Sequence, residues 1–164
     1  MPSLLIVFHS QTGGTRAMAE AAAQGAATAE PALQVRLLHA AHAGPADVIA
    51  ADAYLFATPE YLAGMAGVVK DFFDRSYYAA LDRIEGRPYA SLVCAGSDGQ
   101  NAVRQIERIA TGWRLKPVAE PLIVCTHAQS TAAILAVKRI ARSDLVRCEE
   151  LGAALASGLA LGIF

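Results

Sequence analysis

Short apolar runs alternate with helix-period stretches along most of the chain, and few folds accept that alternation. Ser3 to His9 contains Leu4, Leu5, Ile6, Val7 and Phe8 without a polar break, as a strand buried on both faces does. From Thr15 to about Ala29, Met18, Ala19, Ala22, Ala23 and Ala26 recur at spacings of three and four, a helix that Pro31 stops. Ala32 to Leu38 and Asp52 to Ala57 read as further strands, the second ending at the turn-forming Thr58-Pro59. Ala66 to about Leu81 places Val68, Val69, Phe72, Phe73 and Tyr77 on one helical side. Pro88 to Ala95 returns to strand, and Gln100 to about Arg114 is helical. Pro117 to Cys125 is a fifth strand that Pro121 interrupts, which implies a sheet edge or a bulge, and a helix from about Ser143 to Leu161 follows. Such alternation predicts an α/β fold: a parallel sheet with right-handed crossovers and helices on both faces.

The chain of 164 residues is long enough for one core and short for two, so 1–164 is expected to form a single domain. Hydrophobic residues at 54% against 18% charged suit a doubly covered sheet rather than a disordered chain. Fourteen Lys and Arg balance fifteen Asp and Glu without a run of like charge, so no nucleic acid and no anionic membrane is implied as partner. A small molecule is the expected partner. Cys94, Cys125 and Cys148 lie far apart with no metal or redox spacing and are expected to be reduced thiols. No targeting segment or membrane span is read at either end, and the expectation is a soluble cytoplasmic protein.

In parallel sheets of this kind ligands bind beyond the carboxyl ends of the strands, which brings three loops together. Ser10-Gln11-Thr12-Gly13-Gly14-Thr15 stands between the first strand and a helix start, where backbone N–H groups and the helix dipole favour an anion. Its hydroxyls can donate further, and its glycines permit a nest. It has neither the Lys of a nucleoside-triphosphate loop nor G-x-G-x-x-G, and it suits one terminal phosphate monoester; an ordinary Ser/Thr cap with a Gly turn is the alternative. Thr58 to Gly67 offers an aromatic, Tyr61, and a thioether, Met65, to a ring system. Cys94-Ala95-Gly96-Ser97-Asp98-Gly99 offers a third tight turn, in which Ser97 or Asp98 equally serves as a helix cap.

The S-x-T-G-x-T pattern at Ser10, Thr12, Gly13 and Thr15 resembles the phosphate loop of flavodoxins. Thr58-Pro59-Glu60-Tyr61, followed by Gly67-Val68-Val69-Lys70 and Phe72-Phe73-Asp74, resembles the T-P-E-Y and G-x-x-K segment of NADPH-dependent FMN and quinone reductases within the same flavodoxin-like superfamily. The resemblance spans the first strand to about Trp113. It implies a five-stranded parallel sheet of order 2-1-3-4-5 and bound FMN, with NADPH or NADH as co-substrate. It further implies that Ser10, Gln11, Thr12, Gly13, Gly14 and Thr15 bind the phosphate. Pro59, Glu60, Tyr61 and Leu62 would meet the ribityl chain and ring, and Ala95, Gly96, Ser97, Asp98 and Gly99 the pyrimidine end. Leu62-Ala63-Gly64-Met65 departs from the polar residue and shorter turn that many reductases have. No nicotinamide motif is matched.

His39 and His42 are spaced like a ligand pair but have no third ligand near, so metal is not expected. His9 and His127 end strands and either approach a flavin edge or bond to backbone. Arg16 either helps neutralise the phosphate or faces solvent. No catalytic residue is assigned, because hydride transfer needs alignment and water exclusion rather than a protein acid or base; Tyr61 is a candidate proton source. Three functions are open: reduction of a small-molecule electron acceptor such as a quinone or free flavin, one-electron carriage between proteins, or regulation by a flavodoxin-like domain that has lost flavin. The charge of -1 favours the first, since carriers gain encounter rate from a charged face. Phe72, Phe73, Tyr77 and Tyr78, with the resemblance, suggest a homodimer or a dimer of dimers.

Overall fold

Alternate residues of the first strand face opposite ways, and that alternation sets the architecture. In a computed structural model describing residues 1–164, β1 (Ser3–Phe8) is buried along its whole length. Leu4, Ile6 and Phe8 enter one apolar cluster with Met18, Ala22, Leu151 and Leu155, whereas Leu5 and Val7 enter another with Val48, Phe72, Phe73 and Trp113. Each such side chain taken from water contributes about 1.5–3 kcal/mol, which is why the run carries no polar break.

Helices α1 (Gly14–Ala29) and α6 (Arg142–Ala160) cover the first face. The second is covered by α2 (Pro45–Ala50), α3 (Gly67–Ala80) and α4 (Gln100–Gly112). The remaining long strands are β2 (Gln34–His39), β3 (Ala53–Tyr61) and β5 (Pro88–Ala95), and the parallel order runs β2-β1-β3-β5. Beyond β5 the edge is shared by two short strands, β6 (Lys116–Pro117) and β7 (Leu122–Cys125), both parallel to it. The interruption at Pro121 thus splits the fifth strand on an edge, and the order is flavodoxin-like, as expected.

Three local differences from the sequence reading have physical causes. The third strand does not turn at Thr58-Pro59; it continues, with Thr58 beside Val93 and Pro59 beside Cys94, and folds back through β4 (Gly64–Met65). The two residues at that hairpin tip, Leu62 (φ 49°) and Ala63 (φ 62°), are both left-handed, a conformation usually given to Asn or Gly. Tertiary bonds hold it: Met65 N donates to Gln105 Oε1 at 2.8 Å, Ala66 N donates to Thr58 Oγ1 at 3.0 Å, and Asn101 Nδ2 donates to Ala63 O. Helix α2 was not anticipated; Pro45 opens it and Asp47 Oδ2 accepts from Gly44 N at 2.9 Å. Nor was α5 (Thr131–Leu135), whose cap Ser130 Oγ accepts from Ala133 N at 3.2 Å. No helix is long and apolar enough to cross a membrane.

The aromatic group assigned to a surface is mostly interior. Phe72 and Phe73 are buried, and Tyr77 stacks on Trp113 with centroids 5.6 Å apart; of the four only Tyr78 is largely exposed.

Candidate functional site

A cleft of about 210 Å³ opens at the carboxyl ends of β1, β3 and β5. Ser10, Gln11, Thr12, Gly14 and Thr15 form one wall, Pro59, Glu60 and Tyr61 a second, and Cys94, Ala95 and Gly96 a third. The fold places these loops together because β1, β3 and β5 are adjacent and parallel.

The first wall is built for an anion. Gly13, in the left-handed region at φ 96°, caps α1 and has no side chain to offer the first-turn N–H groups, which are left for a ligand. Ser10 Oγ accepts from Gly13 N at 3.1 Å and fixes the loop. Thr15 Oγ1 is buried with no hydrogen-bond partner in the protein, an orphan that costs about 1–3 kcal/mol unless a ligand meets it. Gly14 permits close packing: a Cβ there would lie 2.8 Å from Cys94 Sγ and 3.3 Å from Lys138 Cβ. These features fit the phosphate of FMN.

On the second wall one carboxylate oxygen of Glu60, Oε2, is also buried without a partner. It can accept from an N–H or O–H of a bound molecule. Burial pushes the Tyr61 phenol above its ordinary value, against an opposing backbone contact from Gln11, so Tyr61 stays protonated at neutral pH. Burial likewise raises the Cys94 thiol to about 11, which leaves it an inert part of the third wall.

Other expected contacts lie outside this cleft. Leu62 projects from the hairpin tip and is fully exposed. Ser97 and Asp98 are exposed, Asp98 Oδ1 accepting from Gln100 N at 3.3 Å at the start of α4, and Gly99 packs under Ile123 and Val93. Of the Ala95 to Gly99 turn, only Ala95 and Gly96 line the cleft. Arg16 does not line the cleft: its guanidinium lies 5.0 Å over the Phe8 ring and 3.7 Å from Glu20. His9 does not itself line the cleft: its N–H donates to Ala57 O at 3.3 Å, its Nδ1 is 3.0 Å from His39 Nε2, and its ring centroid lies 6.0 Å from that of Tyr61. His127 is exposed and left-handed, at φ 57°.

Residues from the segment after β7 close the remaining side, and no local motif marks them. Thr126, Ala128, Ile134 and Lys138 line the cleft. Thr126 N and His127 N donate to Ala95 O and Gly96 O, and Lys138 N donates to Thr12 O, each at 2.8 Å.

A family model for NADPH-dependent FMN reductases matches residues 39–130, more than half of the chain and including the second and third walls. The chain belongs to that family. It is an FMN-binding flavoprotein. A flavodoxin from Aquifex aeolicus (strain VF5) is 30% identical over 99 residues, which are 60% of this chain and 53% of that protein, so the match spans about half of that relative. Two solved structures share the fold of this FMN reductase family member. A flavodoxin from the domain Archaea superposes with a TM-score of 0.79 at 18% identity, covering 96% of this chain and 99% of that one. A WrbA-like flavodoxin from Agrobacterium tumefaciens does so with 0.75 at 20%, covering 98% and 99%.

Proposed function

We propose that this FMN reductase family member is an oxidoreductase that passes reducing equivalents from NADPH or NADH to a quinone, free flavin or similar small acceptor. The observation that carries the reading is the family match over 39–130, which takes in the braced hairpin and the third wall of the cleft. FMN, when bound, supplies a two-electron centre that can take up hydride and return electrons to an acceptor. The chain's own residues do the rest. Ser10 to Thr15 hold the phosphate with first-turn N–H groups and the Thr15 hydroxyl. Glu60 offers an acceptor oxygen, and Tyr61 holds a proton at its phenol oxygen beside the cleft. The hairpin, tied to α4 through Gln105 and Asn101, keeps the second wall fixed and limits water. A near-neutral balance of -1 fits small-molecule turnover, which needs no steering of a protein partner.

The second reading, one-electron carriage between proteins, is favoured by the likeness to the Aquifex aeolicus flavodoxin. Steady-state oxidation of NADPH or NADH by the FMN-loaded protein, with a quinone or free flavin added, separates the two. Multiple turnovers are expected. No nicotinamide oxidation, together with two well-separated one-electron midpoint potentials, would favour the carrier. A cytoplasmic location and pairing into a homodimer or a dimer of dimers belong to the same proposal. Light scattering tests the pairing, and a monomer mass with full activity would overturn it.

A further inference from the structure

We infer that Lys138, on the segment between β7 and α6, is a specificity residue for the phosphate of the bound flavin; this rests on the FMN reading of the cleft. The phosphate loop itself holds no Lys or Arg, and Arg16, just past it, lies over Phe8 and beside Glu20 and does not line the cleft. Lys138 is the one basic side chain lining the cleft. A phosphate monoester carries a charge of about -1.5 to -2 at neutral pH, while the helix N-terminus offers the equivalent of about half a positive charge. That leaves an imbalance that one ammonium group reduces.

The placement of Lys138 is built from backbone as well as side chain. Its N–H donates to Thr12 O at 2.8 Å, so the stem starts at the phosphate loop although the two residues are 126 positions apart. Its Nζ donates to Ile134 O and Ala136 O, both at 2.7 Å, and lies 3.4 Å from Thr12 Oγ1. An ammonium has three donors. Two go to the carbonyls, and the third reaches Thr12 Oγ1 in the longest contact of the three, which holds the positive charge at the rim of the loop proposed to take the phosphate. Gly14 admits this approach, because any Cβ there would press on both Lys138 Cβ and Cys94 Sγ. A role confined to capping the carbonyls of α5 would account for two of the three contacts and would be indifferent to the ligand's phosphate.

The test compares FMN with riboflavin, which has the same ring and ribityl chain and no phosphate. Dissociation constants from flavin fluorescence quenching are measured for the parent chain, Lys138→Met and Lys138→Arg. Charge-assisted hydrogen bonding sets the expected scale. Lys138→Met is expected to weaken FMN about ten- to a hundredfold and to leave riboflavin within about twofold. Lys138→Arg is expected to restore most FMN affinity. Equal FMN affinity in Lys138→Met and parent, or equal losses for the two flavins, would overturn the assignment and leave Lys138 as a cap for its own segment. A parent chain that bound neither flavin would overturn the flavin reading along with it.

Discussion

At the residue scale, neutral histidines fit the edge of the site better than charged ones. His39 Nδ1 accepts from Ala41 N at 3.1 Å, so the remaining proton belongs on Nε2 and points at His9 Nδ1, which must then accept. A proton added to either ring at these atoms breaks a bond. Burial, and then His39, lower the His9 value; burial, and then His42 and Arg16, lower that of His39. When folded-state values lie below the ordinary imidazole value of about 6.5, the unfolded chain takes up protons first as pH falls. Stability is therefore expected to decline from pH 7 downward through that window. Thermal midpoints across pH 5–8 check this: His39→Asn is expected to show a shallower decline than the parent, and superimposable profiles would refute the coupling.

At the scale of elements, contact between α1 and α6 is close enough to touch backbone. A Cβ at Gly152 would lie 1.9 Å from Ala22 O, and one at Gly25 would lie 2.0 Å from Glu149 O. Gly152→Ala must push the helices apart and is expected to cost about 1–3 kcal/mol or more. Gly67→Ala, at the first turn of α3 with nothing within 4 Å, is expected to be neutral or stabilising by up to about 1 kcal/mol. Urea midpoints on the two variants give the comparison, and an undisturbed Gly152→Ala would contradict the close crossing. Neither glycine of this crossing was readable as a contact, since Gly25 and Gly152 meet helices far apart in sequence. By contrast β1, its loop and α1 were legible, because a continuous apolar run, a Gly-rich hydroxyl loop and a three-four spacing are local signals that tertiary structure has no reason to override. Helix α2 did leave a trace in Pro45 and Asp47, but six residues are too few to show a period. The hairpin left none: Leu62-Ala63 has no turn residues, and its left-handed pair persists through bonds from α4.

At the scale of the molecule, adjacent parallel strands bring three loops to one end, and the same sheet leaves its outer edge to β6 and β7, from which the closing segment starts. The first wall of the cleft was legible in the sequence as a loop between a strand and a helix, proposed to take the phosphate. Its counter-charge was not, because Lys138 reaches Thr12 only after the chain has crossed the whole sheet. What unites these features is a site with two buried oxygens left without a partner, Thr15 Oγ1 and Glu60 Oε2, which the proposed flavin would meet. Binding to the folded state alone must raise stability, by about 2.7 kcal/mol at a ligand concentration a hundred times the dissociation constant. The most direct measurement is a titration of the purified chain with FMN, read by fluorescence quenching and by the thermal midpoint in the same samples. The account predicts saturation at one FMN per chain with a midpoint that rises as FMN is added; unquenched FMN and an unchanged midpoint would contradict it.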